Sequence, residues 1–340
     1  MKYFKESIIV TLVGLILGFF IGFLSGGIKT GLSMLFVVVA LAIIETSLSF
    51  DNAVINAKVL KTMNKKWRKR FMTWGIAIAV FGMRIVFPLV IVAILAKMNP
   101  FQALNLAITD SAKYAEILKS SHIMLMGFGG AFLFMVALKY FFDVEKEVHW
   151  IDIVEKPLVR IGKLEAVEVA IALLTLIGIS KLLPNESTQF LIAGLYGLIT
   201  YVLVGGIGAF FEAPNLTSGL AKAGLASFLY LEVLDASFSF DGVIASFVLT
   251  NNIFVIAIGL GIGAMFVRSL TIMLLEKGTL SHYIYLEHGA FWAIIGLVAI
   301  MFFGLFIHIP EIIASLISIL FIGASFVSSI RYNRKVKKER

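Results

Sequence analysis

Residues 33–52 read SMLFVVVALAIIETSLSFDN, a continuous apolar run that leads directly into acidic, hydroxyl and amide side chains. The run does not alternate between polar and apolar positions, as the strands of a membrane β-barrel do. Comparable runs recur along the chain, in which 60% of the 340 residues are hydrophobic and only 15% are charged. Water-soluble domains carry about 25% charged residues. We therefore predict an all-α polytopic membrane protein that contacts the lipid bilayer over most of its length.

The apolar runs between polar breaks predict about ten transmembrane helices, because each run is long enough to cross the hydrocarbon core. Their approximate ranges are 8–26, 31–60, 71–96, 122–142, 166–183, 190–211, 220–250, 253–275, 288–308 and 311–330. The second and seventh runs are longer than one crossing needs. Tilt, or a break near the middle of the helix, would absorb the excess length.

The basic residues cluster between these runs, most densely at 58–70 and in the tail 331–340. If both termini are cytoplasmic, 21 of the 29 Lys and Arg residues fall in cytoplasmic segments, as the positive-inside rule requires. We therefore predict a multi-pass protein of the cell (inner) membrane with both termini in the cytoplasm. The net charge of +8 is therefore explained by basic residues that set the orientation of the helices in the membrane. It does not indicate binding to nucleic acid, so no nucleic-acid partner is expected. The oligomeric state is left open.

An internal repeat is the most informative feature of the sequence. Residues 45–52 read ETSLSFDN and residues 235–242 read DASFSFDG. Each copy is followed by a glycine with an arginine nine residues later, and then by the tripeptide GAF at 130–132 or 289–291. The two glycine–arginine pairs are Gly75 with Arg84 and Gly259 with Arg268.

The repeat is offset by five predicted helices, so matching helices would cross the membrane in opposite directions. This arrangement is typical of secondary transporters with inverted repeats, whose sites lie near the bilayer midplane. We predict one five-helix repeat at 1–183, which includes a charged cytoplasmic loop at 143–165. A second, inverted repeat is predicted at 184–340, with the basic tail.

Both motif copies lie near the middle of long apolar runs. Acids six residues apart on an unbroken helix point in different directions, since each residue turns the helix by about 100°. Either the helix unwinds between Glu45 and Asp51, and between Asp235 and Asp241, or a single acid in each repeat is a direct ligand.

The buried side chains offer hard oxygen donors, which suit Mg²⁺, Ca²⁺ and Mn²⁺ alike. The chain has no cysteine, and its five histidines lie in loops or near the ends of runs. His288, beside Glu287, is interpreted either as a peripheral ion or proton site or as interfacial packing.

The predicted metal ligands are Glu45, Asp51, Asn52, Glu232, Asp235 and Asp241, supported by Ser49, Ser239, Arg84 and Arg268. The two arginines act either as structural counter-ions or as mechanistic groups.

At these residues the chain resembles the TerC-like integral membrane family, within the wider LysE-like transporter grouping. The element acidic-x-x-Leu-Ser-x-Asp-Asn of 45–52, its second copy and the Gly…Arg helix carry the resemblance, which covers roughly 31–142 and 220–308. The resemblance implies manganese efflux, and it implies a metal-site role for Glu45, Asp51, Asn52, Asp235 and Asp241. The chain departs from the family pattern at Gly242, which stands where the first copy has Asn52. Its charged loop and ten predicted helices also exceed the compact family core, as expected of a divergent branch.

We therefore expect a secondary transporter that exports a divalent cation, with manganese first, through midplane carboxylates and with proton coupling. No permanently bound cofactor is expected. One alternative is a non-transporting membrane factor for protein assembly or metal loading. Another is an oxyanion exporter connected with tellurium resistance. No enzyme is expected, because the sequence has no H-E-x-x-H motif or other nucleophile–base signature.

Overall fold

The computed structural model describes residues 2–75, 77–164, 166–212, 219–307 and 309–339. It does not describe the side chains of 206–212, 219–223, 240–241, 311–312 and 337–339. Among the described residues the regular secondary structure is helical, with turns and loops between the helices and no strand. The predicted all-α class is therefore confirmed.

The helices follow the predicted apolar runs closely. In chain order they are α1 (Lys5–Leu48), α2 (Phe50–Thr62), α3 (Lys65–Arg70), two π-helical segments (Phe71–Gly75 and Ile78–Val86), α4 (Phe87–Leu95), α5 (Pro100–Thr109), α6 (Ser111–Ser120), α7 (His122–Phe141), α8 (Asp152–Ile161), α9 (Val167–Leu182), α10 (Ser187–Glu212), α11 (Gly219–Leu249), α12 (Ile253–Glu276), α13 (Thr279–His282), α14 (Leu286–Phe303) and α15 (Glu311–Glu339).

The first helix is two antiparallel arms joined at Gly26 and Gly27. Gly27 has φ +75° and ψ −164°, a conformation that an L side chain rarely adopts. The arms then pack against each other, since a Cβ at Gly18 would meet Val38 at 2.7 Å. The predicted separation of the runs 8–26 and 31–60 is therefore present, and glycine permits the turn between them.

The first copy of the repeated motif contains the expected break. Helix α1 ends at Leu48 and α2 begins at Phe50, with Ser49 at φ −100° and ψ 19° in between. The second copy has no such break, because α11 runs without interruption from Gly219 to Leu249. A break therefore separates Glu45 from Asp51, and none separates Asp235 from Asp241. For the second copy, the alternative that a single acid is a direct ligand stays a prediction.

The two predicted glycine–arginine helices differ in their helical geometry. Arg84 lies on the π-helical segment Ile78–Val86, whereas Arg268 lies on the α-helix α12. A π-helix has more residues in each turn than an α-helix, and π-helical insertions are frequent at functional sites. The two arginines therefore project in different directions relative to their glycines, although both follow the glycine by nine residues.

Seven helical stretches of the described chain are long and apolar enough to cross a membrane. They are Lys5–Leu48, Ile78–Leu95, His122–Phe141, Ser187–Gly205, Ile253–Glu276, Leu286–Phe303 and Ile313–Val336. The predicted runs at 166–183 and 220–250 are also helical, but α9 has only 16 residues and α11 carries three acids in its centre. The protein is a helical, multi-pass membrane protein, and the count of ten crossings stays a prediction.

The chain forms two compact units. Unit 1 comprises Met1–Ser49, Lys65–His122 and Phe238–Met273. Unit 2 comprises Phe50–Asn64, Ile123–Ser237 and Leu274–Arg340. Each unit takes segments from both predicted repeats, so the compact units do not coincide with consecutive halves of the sequence. The division into inverted repeats at residue 183 stays a prediction.

Candidate functional site

A polar cluster in unit 2 forms around Asp235 of α11. Asp235 Oδ1 accepts hydrogen bonds from Asn52 Nδ2 at 2.5 Å and from Asn56 Nδ2 at 3.3 Å. The two asparagines are four residues apart on α2, so they share one face of that helix. Two predicted ligands, one from each copy of the motif, are therefore in direct contact. Sequence reasoning missed Asn56, although its position one turn after Asn52 could have indicated it.

Asp51 lies in the first turn of α2 and is fully buried. Its Oδ1 accepts the backbone N–H of Asn52 at 3.0 Å, and its Oδ2 accepts the hydroxyl of Ser318 on α15 at 3.4 Å. Both of these donors are neutral. A buried carboxylate held by neutral donors alone is costly in a membrane protein unless it is protonated or meets a cation.

Four buried oxygen atoms on α2 and α11 have no hydrogen-bond partner in the described part of the chain. They are Oδ1 of Asn52, Oδ1 of Asn56 and both carboxylate oxygens of Glu232. Glu232 is only 7% exposed, and it lies three residues before Asp235 on the same side of α11. Buried polar atoms normally find a partner, because losing water without replacement is unfavourable. These atoms are hard donors of the kind that a divalent cation uses.

Unit 1 contains the predicted contact between Glu45 and Arg84. They form an ion pair in which the two side chains are only 3% and 5% exposed. Ser49 donates its hydroxyl to Glu45 Oε1 at 3.3 Å, and Arg84 also donates to the carbonyl oxygen of Ala79. Glu45 therefore has a bonded counter-ion. Whether Arg84 is mechanistic as well as structural stays a prediction.

The second copy of the motif ends at Gly242, and this residue lies against Glu45. A Cβ at position 242 would be 3.2 Å from Glu45 Oε2. In unit 1, as in unit 2, the acid that begins one motif copy therefore lies beside the residue that ends the other copy. Gly242 has no side-chain amide to donate, and the charged donor to Glu45 is Arg84.

Arg268 has partners that the sequence did not indicate. Its guanidinium donates to Glu6 and, at 3.1 Å, to the carbonyl oxygen of Met72. In the described part of the chain, Arg268 thus donates hydrogen bonds to groups that are not predicted metal ligands. Ser239 is buried, and its hydroxyl has no partner in the described part of the chain. The side chain of Asp241 lies outside the described residues, so its role stays a prediction.

The charged loop at 143–165 holds a buried glutamate that sequence reasoning missed. Glu155 of α8 is fully buried in unit 2. Its Oε2 lies 2.8 Å from His288 Nδ1 and 3.0 Å from Lys146 Nζ, and its Oε1 accepts Trp292 Nε1–H at 3.1 Å. The backbone N–H groups of Trp150 and Ile151 also donate to it. His288 is therefore part of a buried polar network with Glu155, and a role for it as an ion or proton site stays a prediction.

The environment of Glu155 changes the acidity of two groups in this loop. Burial acts to raise the pKa of Glu155, but the His288 and Trp292 hydrogen bonds and the nearby Lys146 charge hold that pKa well below its usual range. Burial lowers the pKa of Lys146, against the opposing attraction of Glu155. The carboxylate of Glu155 is thus stabilised in its ionised form, which fastens the loop to α14.

A second link in unit 2 joins α2 to α14. Lys58 pairs with Glu287, and its ammonium lies 4.5 Å from the ring centroid of Tyr140 and 4.8 Å from that of Phe291. Lys58 follows Asn52 on the same helix. The helix that carries the asparagines is thereby fixed at both ends within unit 2.

In the described part of the chain, no group of three or more His, Cys, Asp or Glu side chains is arranged to hold a metal ion. Some of the oxygen donors in the polar cluster around Asp235 belong to asparagine amides. A group defined by His, Cys, Asp and Glu side chains does not count these amides. The acids of this cluster are Glu232 and Asp235 of α11, and Asp51 of α2 bonds to the neighbouring Asn52 backbone and to Ser318.

Fold and site together define a multi-pass helical membrane protein with acids and amides inside its apolar helices. Residues 50–336 match the family described as "Protein of unknown function (DUF475)", and the chain belongs to that family. The match includes α2 and the whole second copy of the motif. No curated protein and no solved structure matches the chain. The likeness to TerC-like proteins stays an expectation drawn from the motifs.

Proposed function

We propose that this protein is a secondary transporter that exports a divalent metal cation, with manganese as the expected ion. The proposal rests on the oxygens of Asn52, Asn56 and Glu232 that have no hydrogen-bond partner among the described residues. They lie on the two helices that the Asn52–Asp235 hydrogen bond joins. In the low-dielectric membrane interior these atoms need a positive partner. A transported cation would supply that partner, and it would be held by oxygen ligands alone.

The cross-pairing of the two motif copies supports a transporter over a static ion site. In unit 2, Asn52 of the first copy binds Asp235 of the second, and in unit 1, Glu45 of the first lies beside Gly242 of the second. Reciprocal contacts of this kind are expected of two repeats with inverted topology. The proposed transporter has ten transmembrane helices, lies in the inner membrane and has both termini in the cytoplasm.

Proton exchange at the same carboxylates is the coupling that we propose. Asp51 is held by neutral donors, so it can be neutralised either by a proton or by the cation. Entry of the cation would displace a proton, and return of a proton would release the cation. Glu45 is assigned a supporting role here, because Arg84 already neutralises it.

The decisive experiment measures manganese movement in proteoliposomes that contain the purified protein, with calcium, magnesium and zinc in parallel. We expect wild-type protein to move manganese, and we expect Asp51→Asn and Asp235→Asn to abolish that movement at equal protein content. Asp152→Asn is the matched control, because Asp152 is 58% exposed and forms an exposed ion pair with Lys156 of its own helix. The control should transport like the wild type.

Cellular metal content fixes the direction of transport. In cells that lack other manganese exporters, the wild-type protein should lower cellular manganese, and the two aspartate variants should not. If no metal moves in proteoliposomes and none changes in cells, the transporter proposal is wrong. The non-transporting membrane factor would then be the better explanation of the buried acids.

A further inference from the structure

One end of unit 1 carries a dense basic surface. Helix α3, Lys65–Arg70, reads KKWRKR, and Lys65, Lys66, Lys69 and Arg70 are exposed. The arginine of this group lies over the Trp67 ring, with its guanidinium carbon 4.5 Å from the ring centroid. The short helix leads directly into the apolar π-helical segment Phe71–Gly75.

The start of α1 lies at this same end of unit 1. Arg268 of α12 bonds both to Glu6 of α1 and to the carbonyl oxygen of Met72, two residues after α3. Phe4 also contacts Phe266 of α12, with ring centroids 6.2 Å apart. The exposed residues Lys2 and Lys5 therefore join the α3 charges. We call the residues Lys2, Lys5 and Lys65–Arg70 the basic end.

The described segments that meet at the basic end carry more basic than acidic residues. In the described segments 2–8, 65–72 and 265–273 of unit 1, the acidic residue is Glu6, and it is already paired with Arg268. Exposed ammonium groups at a membrane boundary attract anionic phospholipids, at about 1 kcal/mol for each Lys or Arg near the surface. Tryptophans such as Trp67, and Trp74 with 70% exposure, are typical of the same boundary.

An apolar groove begins beneath the basic end. Its volume is about 340 Å³, and its lining includes Thr11, Leu15, Val39, Ile43, Ile262 and Phe266. Thr11 follows Lys5 by six residues, which is about 9 Å along a helix. The hydroxyl of Thr11 bonds to the carbonyl oxygen of Ser7 within its own helix, so the groove wall is apolar towards an occupant.

We propose that unit 1 binds an anionic phospholipid, with the phosphate head group on the basic end and one acyl chain in the groove. Charge complementarity selects this occupant: lysine and arginine form charge-assisted hydrogen bonds with phosphate oxygens. The groove residue Thr11 lies about 9 Å along α1 from Lys5, within reach of the acyl chain that continues from such a head group. A zwitterionic lipid would fill the groove equally well and would gain less from the basic end. The residues of the proposed lipid site all belong to unit 1, whereas those of the polar cluster around Asp235 belong to unit 2.

The test measures lipid retained by the purified full chain. Protein in nanodiscs of phosphatidylcholine with a minor fraction of phosphatidylglycerol would be washed in detergent, and the retained lipids would be quantified by native mass spectrometry. We expect one phosphatidylglycerol to be retained in preference to phosphatidylcholine. The variant Lys65→Gln/Lys66→Gln/Lys69→Gln should weaken that retention roughly 100-fold. Ile43→Phe and, separately, Val39→Phe should weaken it by filling the groove.

A charge-matched control is available in the same unit. Lys97, Lys113 and Lys119 are exposed lysines beyond the far end of α4, and their triple glutamine variant should retain lipid like the wild type. The proposal is overturned if this control loses lipid as much as the α3 variant, because the attraction would then be general. It is also overturned if both groove variants retain lipid normally, or if phosphatidylcholine is retained equally well.

Discussion

Asn52 on α2 donates a 2.5 Å hydrogen bond to Asp235 on α11, and this bond joins the end of one motif copy to the beginning of the other. Asn56 bonds to the same oxygen over 3.3 Å. The shorter bond should contribute more to stability, because hydrogen bonds to charged groups weaken with length and misalignment.

The first prediction compares these two asparagines. Asn52→Ala should lower the free energy of unfolding by about 1.5–3 kcal/mol, the range for a hydrogen bond to a charged group, and Asn56→Ala should lower it by less. Thermal unfolding in detergent measures both effects. Equal losses in the two variants would contradict the unequal bonding of Asp235.

The second prediction concerns the ion pair of Glu45 and Arg84. Arg84→Met leaves a buried carboxylate without its counter-ion, which should destabilise the protein by about 3–5 kcal/mol. The double variant Glu45→Gln/Arg84→Met removes both charges and should recover much of that loss. Arg268→Met is the comparison, because its partner Glu6 is 65% exposed and such pairs contribute about 0–1 kcal/mol.

Transport by the double variant separates the two roles left open for Arg84. A purely structural ion pair predicts manganese movement in the double variant close to that of the wild type. A mechanistic arginine predicts a stable double variant that moves no manganese. Detergent unfolding of the same preparations shows which variants are folded, so a transport defect can be interpreted.

The third prediction uses the close approach of α12 to Glu45. A Cβ at Gly263 would lie 2.5 Å from Glu45 Cβ and 2.6 Å from its Cγ. Gly263→Ala should therefore cost about 1–3 kcal/mol through overpacking. At Gly178 on α9, a Cβ would meet nothing within 4 Å, so Gly178→Ala should stabilise the helix by up to about 1 kcal/mol. A neutral Gly263→Ala would show that the helices separate easily beside Glu45.

Apolar runs and glycines made most of the helical fold predictable. The long runs became helices, and the turn at Gly26 and Gly27 falls between two predicted runs. The motif alone could not show that only its first copy is interrupted. Both copies contain serines and a small or amide residue, and the contacts of α2 and α11 with their own neighbours decide which one bends.

The same limit applies to the charged side chains. Arg84 and Arg268 follow a glycine by the same number of residues, yet one lies on a π-helical segment and the other on an α-helix. Glu155 appears as one acid among several in a loop of mixed charge. Its burial depends on His288 and Trp292, which lie 133 and 137 residues later in the chain. No local pattern carries that information.

The last prediction tests whether Glu155 holds the loop 143–165 against α14. Glu155→Gln keeps the shape of the side chain but removes the charge that faces Lys146 and His288. Lys146 would remain only 7% exposed without an anionic partner, so the variant should lose about 3–5 kcal/mol at pH 7. Limited proteolysis should then cut within 143–165 faster than in the wild type. Asp152→Asn, an exposed change on the same helix, should leave the cutting rate unchanged.

The effect of Glu155 should depend on pH with a definite sign. The pKa of Glu155 is held below its usual range in the folded protein, so the unfolded chain binds a proton first as the pH falls. The stability that its charge contributes is therefore fully present above the ordinary glutamate pKa of about 4.3. It is lost as the pH falls below that value towards the lower pKa of the folded state. Unfolding curves of wild type and Glu155→Gln should thus differ most at neutral pH and converge in acid. A difference that grows in acid would show that the network around Glu155 does not stabilise its ionised form.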